Sequence, residues 1–594
     1  MRKNGYCKEP AHPRLLPHVK PADDQGLGRV RGARGAPVYS MTPIERGIDR
    51  ASDEEIPMNG LMQQHGLLIS GLIASAARFH GDTEIVSRRV EGDVHRSDYA
   101  TVERRARRVA RVLDALEIAA GERVGTLAWN GYRHLELYYG VSGSARVLHT
   151  LNPRLHVDQI AWMINHAEDR ALAFDLSFVP IIQAVAPRCP SVRAWIALAD
   201  AVPEALRDLP GAVAYEDLLK AQDDLYVWPR FDENLASSMC YTSGTTGDPK
   251  AVLYSHRSTL LHAYAAALPD VMNAAARDAV LPVVPMFHVN AWGIPYTAAM
   301  VGAKLVLPGP ALDGASLFAL MDAENVTFAA GVPTIWLGLL NQMQLEGRKP
   351  QALRSVLIGG AAAPPVMIQT FQDRWGVEVR HGWGMTEMSP LGTLCTLKNK
   401  HLALSAEQRL AVQVTQGRPL FGVDVRVVDA DGTDLPWDGK SMGELLVRGP
   451  WIMADYYRSG LPSPLRDGWF PTGDVVTIDA DGYVHIADRS KDVIKSGGEW
   501  ISSIDIENIA MAHPAVAMAA CVAMPHPKWD ERPLLVVVRK PGAQLDAAEL
   551  LAFYEGKVAK WWVPDDVQFV DSIPLGATGK MLKNRLRAQL MQGD

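Results

Sequence analysis

The run Tyr241-Thr-Ser-Gly-Thr-Thr-Gly-Asp-Pro-Lys250 constrains this chain more than any other stretch. Leu235 to Tyr241 reads as a short buried strand, and the nine residues that follow carry four hydroxyls, two glycines and a lysine. Glycines let a backbone turn tightly and aim its N–H groups inward, and such a nest of amides holds phosphate oxygens. Thr242, Ser243, Thr245 and Thr246 add hydroxyl donors around Gly244 and Gly247, and Lys250 adds a mobile positive charge. A helix is expected from about Ser255, which would bring a helix N-terminus near the loop. The plainer reading is a surface turn rich in Gly and Thr. The completeness of the string weighs against it.

A Walker-type loop, GxxxxGK[ST], is excluded. Pro249 stands where the glycine before Lys250 should be, and Ala251 follows the lysine in place of Ser or Thr. The string instead resembles the phosphate loop of the adenylate-forming superfamily, which includes acyl-CoA synthetases, luciferases and the adenylation domains of peptide synthetases. Their loop runs [YF]TSG[ST]TGxPKG, and Ala251 in place of the final glycine is the one departure.

Length and composition agree with a large enzyme. A chain of 594 residues, 48% hydrophobic, has room for more than one domain. A net charge of −7 gives no support for nucleic-acid binding. Cys7, Cys189, Cys240, Cys395 and Cys521 lie far apart with no CxxC pair, which suits a reducing cytosol and disfavours a disulfide framework or zinc site. The most apolar stretch, Leu67 to Ala77, is too short to span a bilayer, so a cytoplasmic protein is expected.

Residues 1–57 differ from the rest. The first 40 hold eight Lys/Arg against three Asp/Glu, with no apolar segment of the kind a secretory signal needs, and a disordered extension is expected. Beyond Leu61 the texture is α/β. Leu67 to Phe79 and Val102 to Leu116 have helical spacing, Glu122 to Trp129 reads as a buried strand, and Tyr132 to Tyr139 as the helix after it. Ala171 to Phe174, Ala194 to Leu198 and Ala279 to Pro285 continue the alternation, which implies stacked, largely parallel sheets.

Further motifs follow in the order the superfamily uses. Pro285-Met-Phe-His-Val-Asn-Ala-Trp292 matches the segment that lines the acid pocket in relatives. Amino-acid-activating members carry an aspartate there, and His288 in its place disfavours an α-amine. Leu357-Ile-Gly-Gly-Ala-Ala-Ala-Pro364 ends a strand with side chains small enough for close ligand approach. His381-Gly-Trp-Gly-Met-Thr-Glu387 matches [YW]GxTE, in which an aromatic stacks on adenine and the glutamate holds magnesium. Thr472-Gly-Asp474 reads as a turn whose carboxylate suits a ribose diol, with Arg489 able to reach the same ribose or a phosphate. The stretch Gly497-Gly-Glu-Trp-Ile-Ser502 is similar to medium- and long-chain fatty-acid enzymes, in which a tryptophan at the place of Trp500 gates the acyl tunnel. Pro574 to Lys580 matches the family's P[LKR]xxxGK motif. Ile504 to Met511 and Ala547 to Lys557 read as helices, and Ala517 to Ala523 and Leu534 to Val538 as strands.

The resemblance covers roughly residues 60–590 and is nearest to bacterial medium-/long-chain fatty acid–CoA ligases. It implies an α/β fold. A large N-terminal domain of stacked, mostly parallel sheets (58–487) would be followed by a hinge (488–491) and a small mobile α+β C-terminal domain (492–594). It implies ATP, CoA and Mg²⁺, and acyl-CoA formation through an acyl-adenylate. Lys580, Glu387, Thr386 and Lys495 would be catalytic, with Thr242 and Glu387 toward the metal. Thr242, Ser243, Gly244, Thr245, Thr246, Gly247, Lys250, Gly382, Trp383, Gly384, Asp474, Arg489 and Lys491 would bind the nucleotide. His288, Gly359, Gly360, Ala361 and Trp500 would line the acyl pocket. No nucleic acid and no transmembrane segment are expected, while peripheral membrane contact and a homodimer stay open. Alternatives are a fatty-acyl-AMP ligase that loads a carrier protein, a luciferase-like oxygenase, and a non-catalytic acyl-AMP or fatty-acid sensor.

Overall fold

The computed structural model describes residues 60–242, 249–497, 499–576 and 581–591, and of Glu499 only the backbone. Two compact units divide the chain, Met1–Gln64 and His65–Asp594. Of the first, residues 60–64 are described and carry no helix or strand. The extension expected over residues 1–57 lies outside the described residues.

Two large sheets form the body of the second unit, as the α/β alternation predicts. The first has seven strands. In spatial order they are Ala212–Ala214, Ala194–Ala197, Asp169–Phe174, Arg123–Leu127, Val147–Thr150, Ala236–Thr242 and Lys250–Ser255. All neighbours run parallel except the last pair. The second sheet has nine strands, parallel through its centre and antiparallel at both edges. Strands covered on both faces need side chains that fill a dry interior, and Val, Ile, Leu and Ala supply them here.

Helices between the sheets follow from sequence at residue level. In Tyr99–Ala115 the Asp98 carboxylate caps the first turn by accepting Thr101 N–H at 2.7 Å. Val102, Ala106, Val109 and Leu113 then form the buried stripe. Asn130 fastens one sheet to the other. Its amide donates to the Pro282 and Val284 carbonyls at 2.8 and 2.9 Å, and its oxygen accepts Met286 N–H at 2.6 Å. The carboxyl ends of strands from both sheets therefore converge, which is where open α/β sheets bind ligands.

A third sheet of four antiparallel strands, Asp424–Val428, Gly443–Arg448, Phe470–Ile478 and Val484–Arg489, was not anticipated from the α/β alternation. It carries Thr472-Gly-Asp474 inside a strand, where a turn was expected, and Gly473 takes φ +72° there. A fourth sheet, built from Ile494–Ser496, Glu499–Ile501, Val516–His526, Asp530–Arg539 and Asp566–Phe569, packs with the helices Ser503–Met511, Ala547–Ala552 and Lys583–Met591. The helix expected over Ala547 to Lys557 stops at Ala552 in a run of turns, with Gly556 at φ +73°. Among the described residues no helix is long and apolar enough to cross a membrane.

Candidate active site

Thr242 ends one strand and Lys250 begins the next, and the two residues pair directly across an antiparallel ladder. Thr242 and Lys250 therefore lie side by side on neighbouring antiparallel strands. The helix expected from about Ser255 is present, but its N-terminus does not lie near the loop. The helix His256–Ala267 does begin at a Ser255 cap, but only after the six residues of Lys250–Ser255, so its N-terminus is carried to the far end of that strand. Ser243, Gly244, Thr245, Thr246 and Gly247 lie outside the described residues, as does Lys580.

The strand Glu378–Gly384 brings Gly382, Trp383 and Gly384 to the short turn Thr386–Met388. Glycine is required at 384, where a Cβ would stand 2.0 Å from the Pro390 carbonyl oxygen. That close return sets the turn which holds Thr386 and Glu387, both buried. Tyr254, from the strand that Lys250 begins, donates its hydroxyl to the Thr386 carbonyl at 2.7 Å. Tyr456 donates to Glu387 Oε1 at 2.8 Å, and Lys250 Nζ lies 5.0 Å from the centre of the Tyr456 ring. Burial, and then the Glu387 charge, push the Tyr456 hydroxyl far above the ordinary tyrosine range, so it stays a donor.

Asp474 stands opposite Arg489 on neighbouring strands, and Arg489 Nε lies 3.0 Å from its Oδ1. The other oxygen accepts the Trp383 indole N–H at 3.0 Å. Trp383 packs among Met388, Val423 and Val447, with its ring against Gly392. One connected set thus runs from Lys250 through Tyr456 to Glu387. The Trp383 strand leads from that turn to Asp474 and Arg489.

The expected acyl residues divide. A Cβ on Gly359 would stand 3.1 Å from the Trp292 ring, and Gly360 takes φ +78° beside it, with Ala361 exposed. His288, half-buried, opens a rare stretch in which Val289, Asn290, Ala291 and Trp292 all have φ between 43° and 56°. Left-handed backbone costs such residues about 1–2 kcal/mol each, and Asn290 anchors it by donating to Ser238 Oγ at 2.8 Å. Trp500 packs with Val475, Ala487 and Val493 and is not among the groups brought to Gly359. Lys491 is exposed in the turn after Arg489, and Lys495 is exposed on the strand Ile494–Ser496.

Sequence reasoning missed Tyr456 and Tyr254. The tyrosine pair in Asp455-Tyr-Tyr-Arg458, between two charged residues, was the available signal for the first. A cavity of about 510 Å³, lined by Gln416, His485, Asp505, Asn508, Lys557 and Trp562 among others, contains none of the expected site residues.

Magnesium is bound through one or two carboxylates plus substrate phosphates rather than an all-protein cage. Glu387 and the hydroxyl of Thr242 are hard oxygen donors of that kind. Among the described residues no group of three His, Cys, Asp or Glu could cage a metal. The donor set fits an ion that arrives with a triphosphate.

Comparison with known proteins finds relatives over most of the chain. Residues 72–457 match the AMP-binding enzyme family, and residues 505–580 match the AMP-binding enzyme C-terminal domain. A medium-chain-fatty-acid–CoA ligase of Ectopseudomonas oleovorans is 52% identical, over 89% of this chain and 97% of its own. A 3-methylmercaptopropionyl-CoA ligase of Ruegeria lacuscaerulensis is 53% identical, over 89% and 98%. The ATP-bound crystal structure of MatB from Rhodopseudomonas palustris superposes with a TM-score of 0.75 at 26% identity, covering 88% of this chain and 98% of that one.

Proposed function

This chain belongs to the family of AMP-binding enzymes, and from that premise we propose that it joins a medium- or long-chain fatty acid to coenzyme A. ATP and the acid first give an acyl-adenylate and pyrophosphate. The CoA thiol then displaces AMP. The observation that carries the reading is the single connected set of Lys250, Tyr456, Glu387, Trp383, Asp474 and Arg489 beside the phosphate loop.

The chemistry needs each part. A carboxylate is a poor electrophile until one oxygen can leave as AMP, and its attack on the α-phosphate opposes two anions. Lys250 and the loop hydroxyls oppose that repulsion from the protein side, and Lys580 does so at the bridging oxygens. Magnesium, held by Glu387 and Thr242 together with phosphate oxygens, would neutralise further charge there. Asp474 takes the ribose hydroxyls, with Arg489 holding its carboxylate in place. His288, Gly359, Gly360 and Ala361 form the acid end of the pocket, and no carboxylate beside Phe287 in the sequence greets an ammonium. Trp500, which packs with Val475, Ala487 and Val493, takes the place of the tunnel-gating tryptophan through the family resemblance alone. Residues 58–487 act as the large domain and 492–594 as the small one, with 488–491 between them as hinge.

A second reading has its own support in the relative that is 53% identical: the acid is a short thioether such as 3-methylmercaptopropionate. A substrate panel from acetate to stearate, with that thioether included and CoA-dependent AMP release as readout, separates the two. The first reading expects the highest kcat/KM from octanoate upward. Acid-dependent pyrophosphate release with no AMP on adding CoA would instead favour loading of a carrier protein, and neither product with any acid would favour a sensor. The same reading puts the enzyme in a reducing cytoplasm, which suits the four free cysteines buried among the described residues. Light scattering of the purified chain tests the homodimer.

A further inference from the structure

Tyr456 lies in a segment strapped to both halves of the nucleotide site. Met453 N–H donates to the Glu387 carbonyl at 2.9 Å, and Tyr457 N–H donates to the Ala251 carbonyl at 2.9 Å. Between those two backbone bonds the tyrosine side chain has little freedom. Its ring packs beside Cys240, Val252 and Tyr254, on the strands that flank the phosphate loop.

We propose that Tyr456 is a positioning residue for adenylation: its hydroxyl orients the Glu387 carboxylate and its ring face holds the Lys250 ammonium. The proposal rests on the adenylation reading above. A phenol donating to a carboxylate makes a short, charge-assisted bond that fixes which way the carboxylate points. The π face of the same ring attracts an ammonium. Tyrosine offers both contacts from one rigid side chain. Phenylalanine keeps only the ring, and serine only the hydroxyl. Glu387 and Lys250 lie 137 positions apart in sequence (387 − 250), and the Tyr456 side chain touches both of them.

A purely structural role would be for the hydroxyl to satisfy a buried carboxylate and nothing more. Metal dependence separates the two. Calorimetric titration of the full chain with a non-hydrolysable ATP analogue, in EDTA and then with Mg²⁺, reads binding without turnover. Tyr456→Phe should bind the analogue normally in EDTA but lose about tenfold of the affinity that Mg²⁺ adds, the effect of one hydrogen bond to a charged group. The Mg²⁺ concentration for half-maximal pyrophosphate exchange should rise by a similar factor while KM for the acid stays constant. Tyr456→Leu should weaken binding in EDTA as much as Lys250→Met does, and the double variant should be no worse than either. An unchanged Mg²⁺ gain in Tyr456→Phe overturns the proposal, as does full additivity in the Leu/Met pair. The Phe arm decides by itself if Tyr456→Leu does not fold. Wild-type chain that binds the nucleotide but shows no acid-dependent exchange would refute the adenylation reading and leave the positioning result standing.

Discussion

At the scale of single residues the site depends on charge more than on shape. Glu387 is buried, accepts from Tyr456, and shares its turn with Thr386, whose carbonyl accepts from Tyr254. Glu387→Gln keeps an oxygen for the Tyr456 hydroxyl and nearly the same volume, so the fold should persist. Only the negative charge is lost. Removing one such group from a preorganised site costs on the order of 3 kcal/mol, roughly a hundredfold or more in rate. Pyrophosphate exchange at saturating Mg²⁺ should fall by that factor while the urea midpoint stays put. Exchange within about twofold of wild type would remove Glu387 from the machinery.

At the scale of elements, the helix His256–Ala267 shows how tertiary pegs are made from titratable groups. His256 Nδ1 accepts Ile69 N–H at 3.2 Å, and His262 Nε2 accepts Leu391 N–H at 3.3 Å. His262 also lies against the left-handed turn, where a Cβ on Gly293 would stand 2.7 Å from its ring. An imidazolium cannot accept, and both rings are buried. Burial accordingly lowers His256 to about 4 and His262 to about 3, from an ordinary value of 6.5. The sign follows. Below about pH 6.5 the unfolded chain takes up protons that the folded chain refuses, so stability falls as pH falls. Each group contributes about 1.4 kcal/mol per pH unit in that window, until its folded value is reached. Urea midpoints measured at pH 7.5, 6.5 and 5.5 should be flat over the first step and drop over the second. His256→Asn should make the drop shallower, and a midpoint indifferent to pH down to 5.5 would contradict these assignments.

At the scale of the whole molecule, one site must serve two half-reactions. In the mechanism we propose, Lys580 and the CoA thiol would contend for the same space beside the acyl carbonyl, so the small domain would turn between steps. The junction is held by a buried knot. Asp488 accepts Ser503 N–H at 2.9 Å, Ser503 Oγ bonds both Asp488 and Lys583, and Lys583 lies 2.7 Å from Glu507. Asp488 stands before Lys491 in sequence and its partners stand after it, so rotation about Lys491 must break the knot. Proline fixes φ near about −65° and should trap one arrangement. Lys491→Pro should keep acyl-adenylate formation and lose thioester formation. Lys580→Ala should do the reverse, still turning supplied acyl-AMP and CoA into thioester. Separate assays of pyrophosphate exchange and of thioester formation decide this. Parallel loss of both activities in each variant would count against domain alternation.

Sequence by itself determined the family, the reaction class and the two large α/β sheets. The reason is local: donors, glycines and a lysine packed into one loop, and apolar periods that each element shows within its own residues. Thr242, Lys250, Glu387, Asp474 and Arg489 were picked out by motifs in a family order, since Asp474 alone reads as a turn residue and Arg489 alone as a surface charge. Only the tertiary structure decided the rest. The antiparallel placing of the strands that end at Thr242 and begin at Lys250 depends on the pairing of those two residues, and Ala251 pairs in turn with Tyr457. Thr472-Gly-Asp474 became strand because Arg489 and its neighbours pair beside it. Tyr456 acquired its place because a segment some 70 residues beyond Glu387 (456 − 387 = 69) returns between two strands. Such contacts come from chain crossings set by packing, and no local pattern of residues records them.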